Sequence, residues 1–396
     1  MVGPEHRKWA NKRMDFSFTD EQRMLRDNLA AWLREHYSFE ARRQASLSDT
    51  GWRADVWRAL ASELGILGVA LPESVGGLDG GPVDQMVIME ELGRALVIEP
   101  YLECAVVAAS LLEATGGAAA HALLGEIAAG ETIAVLAWSE PTARFSFRDA
   151  ATRATRDGAG WRLSGAKAVV AGAPWASKLI VTARTGGATG EAEGLSLFLV
   201  DRAAPGVTLT AYPTIDGRRA ADVTLNDVAL GADALIGPEG GALPLVEQAG
   251  DRAIAALSAE AVGITRFMLD ATVDYTRQRR QFGQPIASFQ VLQHRMVDMF
   301  MQVEMATSAM YLATLKLPLD PVERALAASS AKVTVANACR FVGQNAIQLH
   351  GGMGMTEEMA VTHYFKRATV LEHDYGSVDH HLARFDRLTR LRAAAA

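Results

Sequence analysis

The 396-residue chain has two cysteines, Cys104 and Cys339, each inside an alanine-rich apolar stretch and neither in CxxC or metal-ligand spacing. A disulfide framework is therefore not expected; two buried thiols in a reducing, cytoplasmic compartment are. No uninterrupted apolar run reaches the ~18 residues that read as a membrane span, and the first residues lack the apolar core of a signal peptide, so no membrane insertion is expected. Blocks of positive charge are missing too. The formal charge is −7, and the only basic run near an end is Arg7-Lys8 to Lys12-Arg13, which argues against nucleic acid as a partner. Four histidines, His363, His373, His380 and His381, have a spacing that suits a solvated helix face at least as well as a ligand set, so no metal is expected.

What is present is a change of period along the chain. "FTDEQRMLRDNLAAWLREHY" opens with Thr19 as N-cap and two acids in the first turn, and its apolar residues Met24, Leu25, Leu29, Trp32 and Leu33 recur at helical spacing. "DVWRALASELG", "PVDQMVIMEELGRAL" and "AAAHALLGEIAAGE" continue a helical unit over 15–130. Six short runs rich in β-branched residues follow, from "TIAVLAW" to "DVTLNDVAL". They predict a middle antiparallel β domain, sandwich or barrel, over 131–238. Long helices return over 239–392, where Leu292, Met296, Met299, Val303, Ala306 and Met310 form one stripe of a four-helix bundle. The fold class is multi-domain α+β.

Two stretches carry candidate chemistry. "QLHGGMGMTEEM" (348–359) has three glycines in four positions. It follows a helix rather than a strand, so the dinucleotide fingerprint does not apply. By itself it reads more readily as a helix C-cap than as a ligand site, with Thr356 and the acids Glu357 and Glu358 opening the next helix. "TRQRRQFGQPIASFQ" (276–290) offers Arg279 as a planar fork for phosphate, Phe282 as a ring face, a break at Gly283 and Pro285, and Gln290 as an amide donor. Each of these residues also has an ordinary surface or core reading.

Together, at this spacing, the two stretches resemble the acyl-CoA dehydrogenase family of flavoproteins. The resemblance spans nearly the whole chain, from "FTDEQRMLRD" through "EELGRAL" and "RRQFGQPIASFQ" to "QLHGGMGMTEE". It implies an N-terminal helical domain, a middle β domain and a C-terminal four-helix bundle. It also implies FAD as cofactor, an acyl-CoA thioester as substrate, a trans-2-enoyl-CoA as product and an electron-transfer protein as acceptor. In that family, segments like these reach across a dimer interface to a neighbour's FAD. The positions that match here are Arg279, Phe282, Gln290, Gln348, Gly351 and Gly352.

The departures from the family pattern are informative. Its base is a glutamate at one of two places. Late in the bundle this chain reads "LEHDYGSVDHHLARF", with Gly376 in the glutamate's place and Glu372 and Asp374 elsewhere on the turn. Near the start of the bundle it reads Asp251-Arg252, so Asp251 is the candidate base and Arg252 its support, on an arm one methylene shorter. Asp251 could equally be an ion-paired or capping residue. The flavin-facing loop keeps Ser139, Glu140 and Pro141 but has Thr142 and Arg144 where glycines are usual. The second flavin-facing segment reads "VVAG" (169–172), without the usual tryptophan and threonine. Each lost partner for a buried polar group costs about 1–3 kcal/mol.

These features resemble the small subunits of heteromeric enzymes, such as pimeloyl-CoA dehydrogenase and the steroid side-chain acyl-CoA dehydrogenases. The resemblance implies a tetramer in which a homologous large subunit keeps the base and the flavin contacts. Two alternatives stay open: a self-sufficient homo-oligomeric dehydrogenase using Asp251, and a scaffold or flavin oxidase of the same fold.

Overall fold

The structure is a computed structural model and describes residues 18–395. The basic run at Arg7–Arg13 and the expected domain start at 15 lie outside them. Helix α1 (Asp20–His36) begins where expected. Thr19 accepts from the Gln22 amide while Gln22 caps the Thr19 amide in return. Helices α2 (Phe39–Leu47), α3 (Ala54–Ser62) and α4 (Pro82–Arg94) follow. A π-helical turn over Leu102–Ala108 leads into α5 (Ala109–Thr115), and α6 (Ala118–Ala128) closes the helical unit. The π turn places Glu103 among buried apolar neighbours.

Strands β1 (Ala134–Ala137), β2 (Arg153–Asp157), β3 (Gly160–Ala171), β4 (Lys178–Arg184), β5 (Leu195–Asp201), β6 (Val207–Pro213), β7 (Arg219–Leu230) and β8 (Leu235–Ile236) form one sheet. Its order is β6-β7-β3-β2-β4-β5-β8, with β1 beside β4. The expectation of an antiparallel sheet needs correcting, because β4 pairs parallel with both β1 and β2. Six apolar runs announced six strands; β2 and the two-residue β8 went unseen. The β2 sequence RATRD buries only Ala154 and is recruited by antiparallel pairing with β3 through the Gly158 turn.

The bundle comprises α7 (Leu243–Gln278), a hairpin of β9 (Arg280–Gln281) and β10 (Gln284–Pro285), α8 (Gln290–Lys316), α9 (Pro321–His350), α10 (Ala360–Leu371) and α11 (Val378–Ala395). Asp320 caps α9 by accepting from the amides of Val322 and Glu323. α10 starts at Ala360, later than the threonine at 356 suggests, because Thr356 closes a short 3-10 turn instead. Met299, Val303, Ala306 and Met310 are buried as expected.

Two glycines explain how the first unit docks on the bundle. A Cβ at Gly263 of α7 would lie 2.1 Å from the Glu90 carbonyl, and one at Gly93 of α4 would lie 2.2 Å from that of Glu260. The "EELGRAL" segment is thus a backbone-to-backbone crossing. A buried ion-pair knot completes the junction. Arg367 of α10 meets Glu260 of α7 at 2.8 Å and Asp216 of the β6–β7 turn at 2.9 Å, while Arg218 meets Glu260 at 2.7 Å. Burial opposes charge on Glu260 and Asp216, but Arg218 and Arg367 outweigh it and hold both carboxyls below the usual range.

Candidate functional site

A cavity of about 460 Å³ opens where the three units meet. The helical unit contributes Glu103 on the π turn, the sheet and the loop after β1 contribute Trp138, Ser139 and Ala168–Ala171, and the end of α10 with the turn after it contributes Thr369, Val370, His373, Asp374 and Tyr375. Both sequence segments that depart from the flavin-facing pattern therefore face one space. Arg144 and Val169 line it with left-handed backbones, φ 48° and 53°. The loop has kept a glycine-like path under an arginine. For a β-branched valine this conformation is a true outlier of the kind that clusters at ligand sites. From the sheet side Ser139 supplies a hydroxyl, whereas Val169 and Ala171 present no side-chain donor. The loop carrying Ser139 is anchored from behind: Glu140 accepts from the amides of Ala151 and Thr152 and from Lys167 at 2.6 Å. Burial, against the pull of Glu140, brings Lys167 down to about 8.

The acids are distributed differently from the sequence expectation. Asp251, 1 % exposed, is clamped by Arg384 at 2.6 Å and Arg324 at 3.3 Å and does not line the cavity. Arg252 points to Glu113 at 3.6 Å, also away from it. Gly376 is buried at φ 126°, and a Cβ there would sit 2.5 Å from His381 Nε2. Beside it in that turn, Tyr375 and His373 line the cavity. Asp374 also lines the cavity, paired with Arg367 at 3.2 Å, and burial raises its proton affinity against that pull. Glu372 is spent on Arg340 at 2.6 Å. Glu103 was not singled out by sequence, although one acid inside "PYLECAVVAASLL" was the available signal.

The other candidates gather at the far end of the bundle. Arg279 caps α7, Phe282 sits at the hairpin tip and Gln290 begins α8. Gln348 is in the last turn of α9, and Gly351 and Gly352 follow it. Tyr275 and His350 stack at 4.4 Å and tie the two segments together four residues before Arg279 and one before Gly351. All six residues are exposed. Among the described residues, the side chains of Arg279, Gln290 and Gln348 make no hydrogen bond, and a Cβ at Gly351 or Gly352 would meet nothing within 4 Å. Phe282 is 91 % exposed with φ 51°. From there an apolar stripe of α8 (Val297, Met301, Met305, Leu312) also faces outward.

Models of the acyl-CoA dehydrogenase N-terminal, middle and C-terminal domains match residues 19–131, 135–228 and 251–385. The chain belongs to the acyl-CoA dehydrogenase family. It is 32 % identical to the acyl-CoA dehydrogenase FadE12 of Mycobacterium tuberculosis, over 88 % of this chain and 90 % of that one. Among solved structures, a variant of the Tcur3481–Tcur3483 steroid ACAD superposes with a TM-score of 0.84 at 29 % identity, over 94 % of this chain and 99 % of that one. The ChsE4–ChsE5 complex of Mycobacterium tuberculosis does so with a TM-score of 0.86 at 27 % identity, over 94 % and 98 %.

The family fold binds FAD, and the residues present fit it unevenly. The far end offers an unpaired guanidinium, two free amides and open glycine backbone, a donor set suited to a nucleotide diphosphate. The cavity offers few donors where a flavin ring would lie. Other ligand classes find less support. No group of three or more His, Cys, Asp or Glu among the described residues could hold a metal. His363 is occupied by Arg42 and Glu357, and His381 by Ser329 and the Tyr375 carbonyl. No helix among the described residues is long and apolar enough to cross a membrane.

Proposed function

We propose that this chain is the small subunit of a heteromeric, FAD-dependent acyl-CoA dehydrogenase and completes the cofactor site of a homologous large subunit. The observation that carries the reading is the contrast between an exposed set of residues, unpaired among the described residues and suited to a nucleotide diphosphate, and a base candidate locked in ion pairs. Arg279 would neutralise a phosphate of the neighbour's cofactor, Gln290 and Gln348 would donate amide hydrogen bonds, and Gly351 and Gly352 would admit the diphosphate close to backbone. Phe282 would lie against the neighbour. Hydride acceptance from the acyl β carbon is the chemistry that FAD supplies when bound. An electron-transfer protein would take the electrons onward. With two buried free thiols, Cys104 and Cys339, a reducing cytoplasmic setting suits the chain.

The self-sufficient alternative needs Asp251 as base, and two arginines that hold its carboxylate in place favour a structural role. The test is flavin content. Purified alone, the chain should be colourless; co-purified with a homologous large subunit, it should give one FAD per pair. A yellow solitary protein with one FAD per chain, losing acyl-CoA turnover on Asp251→Asn without losing stability, would overturn the reading.

A further inference from the structure

A second hollow, which shares no lining residue with the cavity above, opens where α4 of the helical unit meets α7 and α8 of the bundle. Its outer part holds about 140 Å³ and its narrow inner end about 10 Å³, room for one water-sized group. Gln85 and Arg252 line both parts, Thr314 the inner end and Glu113 the mouth. Thr314 is 2 % exposed, and among the described residues its Oγ1 has no hydrogen-bond partner. Other helical threonines of this chain behave differently: Thr265, Thr272 and Thr307 each donate to the carbonyl four residues back. The Thr314 hydroxyl is left for the hollow. The half-buried Arg252 side chain likewise makes no hydrogen bond among the described residues, since Glu113 Oε2 stands 3.6 Å from its Nη1.

An apolar-walled hydroxyl and a guanidinium without hydrogen bonds are both served by a ligand rich in acceptors. Gln85 adds no further donor, because its amide is engaged with the Ala105 carbonyl at 3.4 Å. An ammonium would meet Arg252 with like charge. A phosphate would bring more oxygens than the two side chains can serve and leave the rest unpaired beside the Glu113 carboxylate. A carboxylate matches both donors: it is planar, so one oxygen enters the narrow end toward Thr314 while the other stays with Arg252. Behind it the outer part, walled by Ala70, Pro82 and Leu317, admits a short alkyl chain.

We propose that this hollow binds a short-chain monocarboxylate, with Thr314 and Arg252 donating to its two oxygens and Glu113 competing for the guanidinium at the rim. Because the site lies between α4 and the bundle, its occupant should also tighten that junction. Calorimetric titration and thermal melting of the full chain, in a carboxylate-free buffer, would compare butyrate, butyramide and inorganic phosphate. Butyrate should bind and raise the melting point, its neutral analogue butyramide should do neither, and phosphate should bind at least about tenfold more weakly. Arg252→Gln should weaken butyrate about tenfold or more and Thr314→Val about three- to tenfold. Glu113→Gln, which removes the competing acid, should tighten it. Should Arg252→Gln fail to fold, Thr314→Val, nearly identical in shape, carries the test. The inference is overturned if butyrate does not bind, if butyramide or phosphate binds as tightly, or if butyrate affinity is unmoved by Thr314→Val or not raised by Glu113→Gln. Flavin content enters none of these readings, so the proposed subunit role stands or falls separately.

Discussion

The two ends of the bundle use the same residue types in opposite ways. Around Asp251, Arg324 and Arg384 share one buried carboxylate inside the chain and are mostly kept from solvent. Around Arg279, Phe282 and Gln348 comparable groups stand exposed and unpaired, one of them on a strained backbone. A protein gains little stability from an exposed phenylalanine at positive φ. The exposed end is therefore shaped for contact with something outside the chain, and the satisfied end for holding this chain's own helices. Motif residues alone do not separate these roles; the state of their hydrogen bonds does.

The contrast can be broken from either side. The largest effect is expected at the satisfied end. Asp251→Asn removes the charge facing two mostly buried arginines and should cost about 3–5 kcal/mol in urea denaturation, while turnover by the intact complex persists. Loss of turnover with unchanged stability would make Asp251 the base after all. Gly376→Glu restores the family's acid but must place a side chain at φ 126° against His381. A loss of about 1–3 kcal/mol without any gain of activity in the solitary chain is expected, measured by the same denaturation and by an acyl-CoA assay.

At the exposed end, Arg279→Ala should weaken FAD retention by the complex, read by flavin release on dilution, by about tenfold or more. That equals the roughly 1.5–3 kcal/mol of a hydrogen bond to a charged group. The melting point of the chain alone should barely move. A melting point that drops as far as for Asp251→Asn would show that Arg279 is structural and would collapse the distinction. The smallest effect concerns acid. His381 is buried neutral, and burial takes it down to about 3 from an ordinary 6.5. The unfolded chain therefore binds the extra proton first. The stability that this histidine contributes is complete above pH 6.5 and is lost as pH falls from there toward about 3. His381→Asn should flatten that part of the stability–pH curve; an unchanged slope would mean that the ring is accessible to protons when folded.

Much of this was legible in the sequence. Thr19, the bundle stripe on α8 and the change from helical to alternating period are local signals, and each became the expected element. The pairing of "RRQFG" with "QLHGG" pointed to one ligand end, and the Tyr275–His350 stack joins those segments. Strand β2 was hidden because its pairing depends on β3 rather than on its own apolar pattern. The surroundings of Asp251 were hidden because Arg324 and Arg384 are 73 and 133 residues away along the chain. Tyr375 and Glu103 were missed for a related reason. Which residue of a glycine turn faces a cavity depends on φ values, and an acid in an apolar stretch reveals its partners only in three dimensions.

The outward apolar stripe on α8 has a bearing on gene dosage. Val297, Met301, Met305 and Leu312 are all exposed in the solitary chain, and a surface of that kind invites self-association until it is covered. On the heteromeric reading proposed above, a cell that makes this chain in excess of its partner would accumulate a sticky orphan. Matched synthesis of the two subunits, or prompt removal of the unpaired one, is then a requirement written into one face of one helix.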